Sequence, residues 1–149
     1  GQFKGADFRF LAANVVDTTA ANTTLFPGVG VKDFLGNKVA FIGMTLEGTP
    51  TIVTPSGVAG LNFLDEADTV NALVPKLKAK GIETIVVLIH EGGAQVAPAP
   101  YNGCVGISGA IVDIVNRFDP EVDVVISGHT HNAYNCVINN MLVTSAASF

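Results

Sequence analysis

"TIVVLIHEGG" at residues 84–93 and "VDVVISGHTH" at residues 122–131 decide the fold of this chain. Each is a short apolar run that stops at histidine and glycine. Apolar on both faces, they read as fully buried strands, the kind found inside parallel sheets. Between them lie a Pro- and Gly-containing loop (residues 94–105) and "ISGAIVDIVNRF" (residues 107–118), which reads as a helix with Ser108 as its N-cap. Strand, helix, strand in this order predicts two parallel neighbours joined by a right-handed crossover.

Working upstream, "DEADTVNALVPKLKAK" (residues 65–80) reads as another helix. Acids stand at its start, and Lys76, Lys78 and Lys80 stand at its end, as the helix dipole favours. Gly81 is the expected C-cap, and Ala67, Val70, Val74 and Leu77 share one face. Pro75 removes one backbone hydrogen bond and predicts a kink. "VKDFLGNKVAFIGMTL" (residues 31–46) reads as a hairpin turning at Gly36-Asn37, and residues 133–149 as a second one turning at Asn139-Asn140. "FRFLAANVV" (residues 8–16) reads as a strand, and residues 47–62 as a long loop. The fold class is α/β.

Of the 149 residues, 48% are hydrophobic and 14% charged, against roughly 25% charged in an average soluble domain. The longest apolar run, Ile85 to Ile89, is far short of the roughly 20 residues a membrane span needs. So apolar a chain without a span implies surface that packs against something else, and hence a piece of a larger protein. Net charge is −5, and residues 91–149 hold five acids against one base, Arg117. A nucleic-acid surface needs Lys and Arg to neutralise phosphates, so that class is not expected. Any phosphate held near the histidines would need a metal ion as its positive charge.

The three histidines are His90, His129 and His131. All fall just past the ends of the two buried strands. If the strands are neighbours, the histidines gather at one sheet edge, where open parallel sheets bind ligands. Gly92, Gly93 and Gly128 would let the backbone turn sharply and approach a ligand there. Neutral imidazoles suit zinc, manganese, iron, nickel or copper; the plainer alternative is histidines that only hydrogen-bond within their loops. Cys104 and Cys136 belong to no Cys-x-x-Cys pair, which argues against a structural zinc knuckle. They are expected to form one disulfide, as in an exported protein; two buried thiols are the alternative.

"VDVVISGHTHNAYN" resembles the last metal-binding motif of the calcineurin-like metallophosphoesterases, in their 5'-nucleotidase and 2',3'-cyclic-nucleotide phosphodiesterase branch. "VVLIHEGG" resembles the histidine motif that precedes it, and "FRFLAANVV" the strand after the branch's Asn-His motif. The likeness runs through essentially the whole chain. It implies a four-layer β-sandwich flanked by helices, with two divalent ions (zinc, manganese or similar) that bind phosphate and activate water. His90 and His129 then resemble ligands of one ion, and His131 a ligand of the second. Asn14 resembles a residue supporting the site wall. Glu91 and Asn132 are expected to be solvated loop residues.

The opening Asp-x-His, the bridging Asp and the Asn-His-Glu motif of that family are absent from residues 1–149. The resemblance therefore implies the C-terminal portion of a metallophosphoesterase catalytic domain, with the N-terminal part of the same domain as its partner. The parent is expected to be a secreted, periplasmic or cell-surface hydrolase that releases phosphate from nucleotides. This chain alone is expected to be inactive and to bind metal weakly at most. A non-catalytic metal- or partner-binding module sharing the fold is the second reading.

Overall fold

The computed structural model describes residues 4–148. Nine strands and two helices follow in chain order: β1 (Val15–Asp17), β2 (Thr23–Thr24), β3 (Val29–Phe34), β4 (Asn37–Met44), β5 (Leu61–Phe63), α1 (Glu66–Lys78), β6 (Thr84–Ile89), α2 (Ala110–Arg117), β7 (Val124–Ile126), β8 (Ala133–Ile138) and β9 (Met141–Ala146). The main sheet has the order β3-β4-β6-β7-β9-β8. Its centre, β4-β6-β7-β9, is parallel, and an antiparallel hairpin closes each edge. The two buried strands read from sequence, β6 and β7, are thus parallel neighbours.

The crossovers β4–α1–β6 and β6–α2–β7 advance in the same direction across the sheet, so right-handedness puts both helices on one face. That face carries Ala40, Ile42, Ile85, Val87, Val125 and Val143, each fully buried. Ala67, Val70, Val74 and Leu77 of α1 and Ile111 and Val115 of α2 pack on it in one core. Burying each Val or Ile stabilises by about 1.5–3 kcal/mol. Asp65 caps α1, its side chain accepting from Asp68 N at 2.8 Å. The helix continues through Pro75 to Lys78.

The opposite face is only partly covered. Ile126, Leu142 and Val137 are 45%, 44% and 68% exposed. Residues 7–12 run over the β4 side of this face, where Leu11 packs directly on Gly43: a Cβ there would lie 2.4 Å from that of Leu11.

Several elements differ from the sequence expectation. Only Val15 and Val16 of the strand expected over 8–16 pair as one, within β1 of a small sheet ordered β2-β1-β5. The preceding residues make isolated bonds instead, Ala12 N to Pro27 O and Ala13 N to Gly43 O. The expected loop over 47–62 holds two 3-10 turns, Thr49–Thr51 and Pro55–Gly57, and the start of β5. The first hairpin turns at Leu35-Gly36, both at positive φ, one residue before Gly36-Asn37. Ser108 does not cap α2. It forms an antiparallel bridge with Ala94, and Gly109, at φ 110°, takes the cap position. Ala79 is the C-cap of α1, and Gly81 turns at φ +71° two residues later. The second hairpin turns at Asn139-Asn140 as expected, both left-handed.

Candidate metal centre

β6 ends at Ile89 and β7 at Ile126, so the loops that follow emerge side by side at one edge. His90 N donates to Met44 O at 3.0 Å, extending the β4–β6 ladder by one bond. Gly128 N then donates to Glu91 O at 3.2 Å, tying the second loop to the first. The result faces two imidazoles together: His129 Nδ1 lies 3.4 Å from His90 Nε2. The rings stand edge to face with centroids 5.1 Å apart.

This separation is beyond the 2.7–3.2 Å usual for N–H···O bonds, so it makes at most a long N–H···N hydrogen bond between the rings. It matches two nitrogens on one tetrahedral ion: at a Zn–N distance of about 2.0–2.1 Å they stand roughly 3.3–3.4 Å apart. The donor set present therefore fits half of a zinc-type coordination shell. His131 follows two residues later on the same turn, so the topology brings all three histidines to one edge. His131 does not close a three-ligand cluster with the other two: among the described residues, the one group of three with all ligand atoms within 4.8 Å is Glu47, Asp65 and Glu66.

The turn is strained. His129 (φ 67°) and His131 (φ 58°) are both in the left-handed region, at a cost of about 1–2 kcal/mol each for residues bearing a Cβ. Nothing in the sequence announced this, since neither position is glycine. Such strain persists only where surrounding contacts impose it. Those contacts are close. A Cβ on Gly92 would lie 2.2 Å from Gly128 O and 2.6 Å from Thr130 Oγ1, and one on Gly93 would lie 2.5 Å from Ser108 O. Gly92, Gly93 and Gly128 are all outside the left-handed region. Gly92 and Gly93 are therefore required by the approach of one loop to another, not by the sharp turning expected of them.

Asn14 supports the wall. Fully buried, its Nδ2 donates to Thr45 O (2.6 Å) and Leu64 O (3.0 Å), and its Oδ1 accepts from Thr45 N (2.8 Å). One side chain thereby joins β1, the end of β4 and the entry to α1, with both amide hydrogens engaged. Asp123 sits at the far end of the sheet, accepting from Ile85 N at 2.8 Å. Asn132 Nδ2 donates to Thr130 O at 2.7 Å.

The sequence reading missed Glu66. It is 3% exposed and accepts from Glu47 N at 2.8 Å. Burial pushes its carboxyl above the usual range, against that hydrogen bond, and the nearby charges of Glu47 and Glu91 push the same way. Glu91 follows His90 directly. It is half-buried, and its carboxylate accepts from Gly92 N at 2.8 Å. Cys104 and Cys136 form the expected disulfide, with Cα atoms 5.1 Å apart. It anchors the loop after His90 to the strand after His131.

Residues 5–133 match the calcineurin-like phosphoesterase family model. The chain belongs to that family. It is 31% identical over 147 residues to Endonuclease YhcR of Bacillus subtilis (strain 168), covering 99% of this chain and 11% of that protein. It is 30% identical over 132 residues to a 5'-nucleotidase of Vibrio cholerae, covering 87% of this chain and 23% of the relative. The crystal structure of a 5'-nucleotidase precursor from Thermus thermophilus superposes with a TM-score of 0.75 at 28% identity, over 97% of this chain and 29% of that one. The mixed α/β fold and the 5'-nucleotidase relationship are thereby established, and the chain spans a small part of each of these relatives. No helix among the described residues is long and apolar enough to cross a membrane.

Proposed function

We propose that residues 1–149 form the C-terminal portion of the catalytic domain of an exported, metal-dependent phosphoester hydrolase acting on nucleotides. In this reading His90 and His129 hold one divalent ion and His131 contributes to a second. The carrying observation is the 3.4 Å approach of His129 Nδ1 to His90 Nε2 at the carboxyl ends of parallel strands. When bound, two such ions would supply Lewis acidity and a nucleophilic water for attack on phosphorus. The protein's own contribution here is to fix two imidazoles on rigid strand ends and to hold the loops that carry them against each other. The disulfide supports an oxidising compartment.

Among the described residues, the histidines form no ligand cluster with a carboxylate. Neutral ligands offset none of the repulsion between two dications, so a complete site needs an anionic ligand from the N-terminal part of the domain. The exposed row Ile126, Leu142 and Val137 is the face that part would cover. The test is phosphate release from nucleoside monophosphates and 2',3'-cyclic nucleotides by the full-length parent loaded with zinc or manganese. The parent should turn over, His129→Ala should abolish turnover, and this chain alone should release no phosphate. Turnover by the isolated chain near the enzyme median of about 10 s⁻¹, or an inert parent, would refute the proposal. An inert parent that still binds zinc would favour a non-catalytic metal-binding module.

A further inference from the structure

We propose that Thr130, the residue between His129 and His131, is the positioning residue of this centre: its side chain, more than any preference of the histidines, holds His129 against His90. The inference rests on the metal reading above, but its geometric core does not. His129 and His131 flank Thr130 and are both left-handed, a sequence of conformations that a free chain abandons. Thr130 has every polar atom committed. Its N–H donates to Gly128 O at 2.8 Å, its carbonyl accepts from Asn132 Nδ2 at 2.7 Å, and its Oγ1 donates to Gly93 O at 2.7 Å.

The last bond is the one that matters. It crosses 37 residues of sequence to the loop that follows β6 and carries His90. With Gly128 N to Glu91 O at 3.2 Å, it gives the turn two anchors on that loop, one before and one after His129. Thr130 Cγ2 also fits where Gly92 lacks a side chain, 3.1 Å from the position its Cβ would take. The first two bonds are local and shape the turn. Of the three bonds made by Thr130, only the hydroxyl's reaches the loop that carries His90.

The test is an NMR titration of the chain with zinc, following the imidazole protons, in the wild type, Thr130→Val and Thr130→Ser. Valine keeps the shape and removes the hydroxyl; serine restores the hydroxyl. In metal-free protein, the ring-to-ring contact between His90 and His129 should be present in the wild type and Thr130→Ser and lost in Thr130→Val. Zinc affinity should fall 10- to 100-fold in Thr130→Val, the usual effect of removing a partner that orients a ligand, and stay within about threefold of wild type in Thr130→Ser. A Thr130→Val protein that keeps both the ring contact and the affinity overturns the proposal. So do Thr130→Ser and Thr130→Val equally impaired, since packing would then be the cause. Should Thr130→Val fail to fold, Thr130→Ala is read against Thr130→Ser in the same way. Loss of the ring contact in a chain whose wild type binds no zinc would uphold Thr130's role and refute the metal reading.

Discussion

Gly92→Ala is expected to break the interlock that faces His129 to His90. A Cβ at residue 92 would stand 2.2 Å from Gly128 O, where 3.0 Å is about the closest real approach, so the loops must part by at least about 0.8 Å. That shift stretches Gly128 N to Glu91 O from 3.2 Å to about 4 Å, and Thr130 Oγ1 to Gly93 O from 2.7 Å to about 3.5 Å. Two hydrogen bonds at about 1 kcal/mol each, together with overpacking of about 1–3 kcal/mol, give an expected loss of about 3–5 kcal/mol. A domain of ordinary stability holds about 5–15 kcal/mol, so the variant should still fold. Residue 92 is not left-handed, so backbone strain adds nothing and the loss is crowding alone. Urea unfolding should show a lower midpoint with an unchanged slope. A Gly92→Ala protein within about 0.5 kcal/mol of wild type would refute the interlock.

Three further outcomes are expected. Asn14→Ala leaves Thr45 N, Thr45 O and Leu64 O without their partner and should cost about 3–5 kcal/mol, read by urea unfolding; a cost under about 1 kcal/mol would contradict the weld. Cys104→Ser with Cys136→Ser opens a cross-link spanning 32 residues and should cost about 3–4 kcal/mol on the chain-entropy model, seen as a lower melting temperature that reductant reproduces in wild type. Glu66→Gln should flatten the pH dependence of stability. Because burial raises the folded-state pKa of Glu66, its contribution is present below the ordinary value of 4.5 and is lost as pH rises through the raised value. The variant should be at least as stable as wild type at pH 7, and an unchanged profile between pH 4 and 7 would count against the assignment.

Much of the architecture was legible because hydrophobic period and turn chemistry are local. β6, β7, α1 and both hairpins follow from apolar runs, helical spacing and the Gly or Asn residues at turns. The parallel pairing of β6 with β7 followed from the strand–helix–strand order, and it predicted that the histidines share an edge. What escaped were features fixed by tertiary contact. Residues 8–14 have strand composition, yet Leu11 and Ala13 spend it against Gly43 rather than in a ladder. Ser108 has a capping side chain but a bridge to Ala94 removes it from the cap. The left-handed histidines, the Thr130 clamp and the buried Glu66 carry no local signal at all. Each arises where segments distant in sequence meet, and only Gly92-Gly93 hinted at how closely.

The claim that His90 and His129 share a metal ion is tested most directly by isothermal titration of the chain with zinc, for the wild type, His90→Ala and His129→Ala. The wild type should take up one ion per chain, weakly, and either substitution should abolish the heat of binding. Equal zinc uptake by the wild type and both variants would place any bound metal elsewhere and contradict the account.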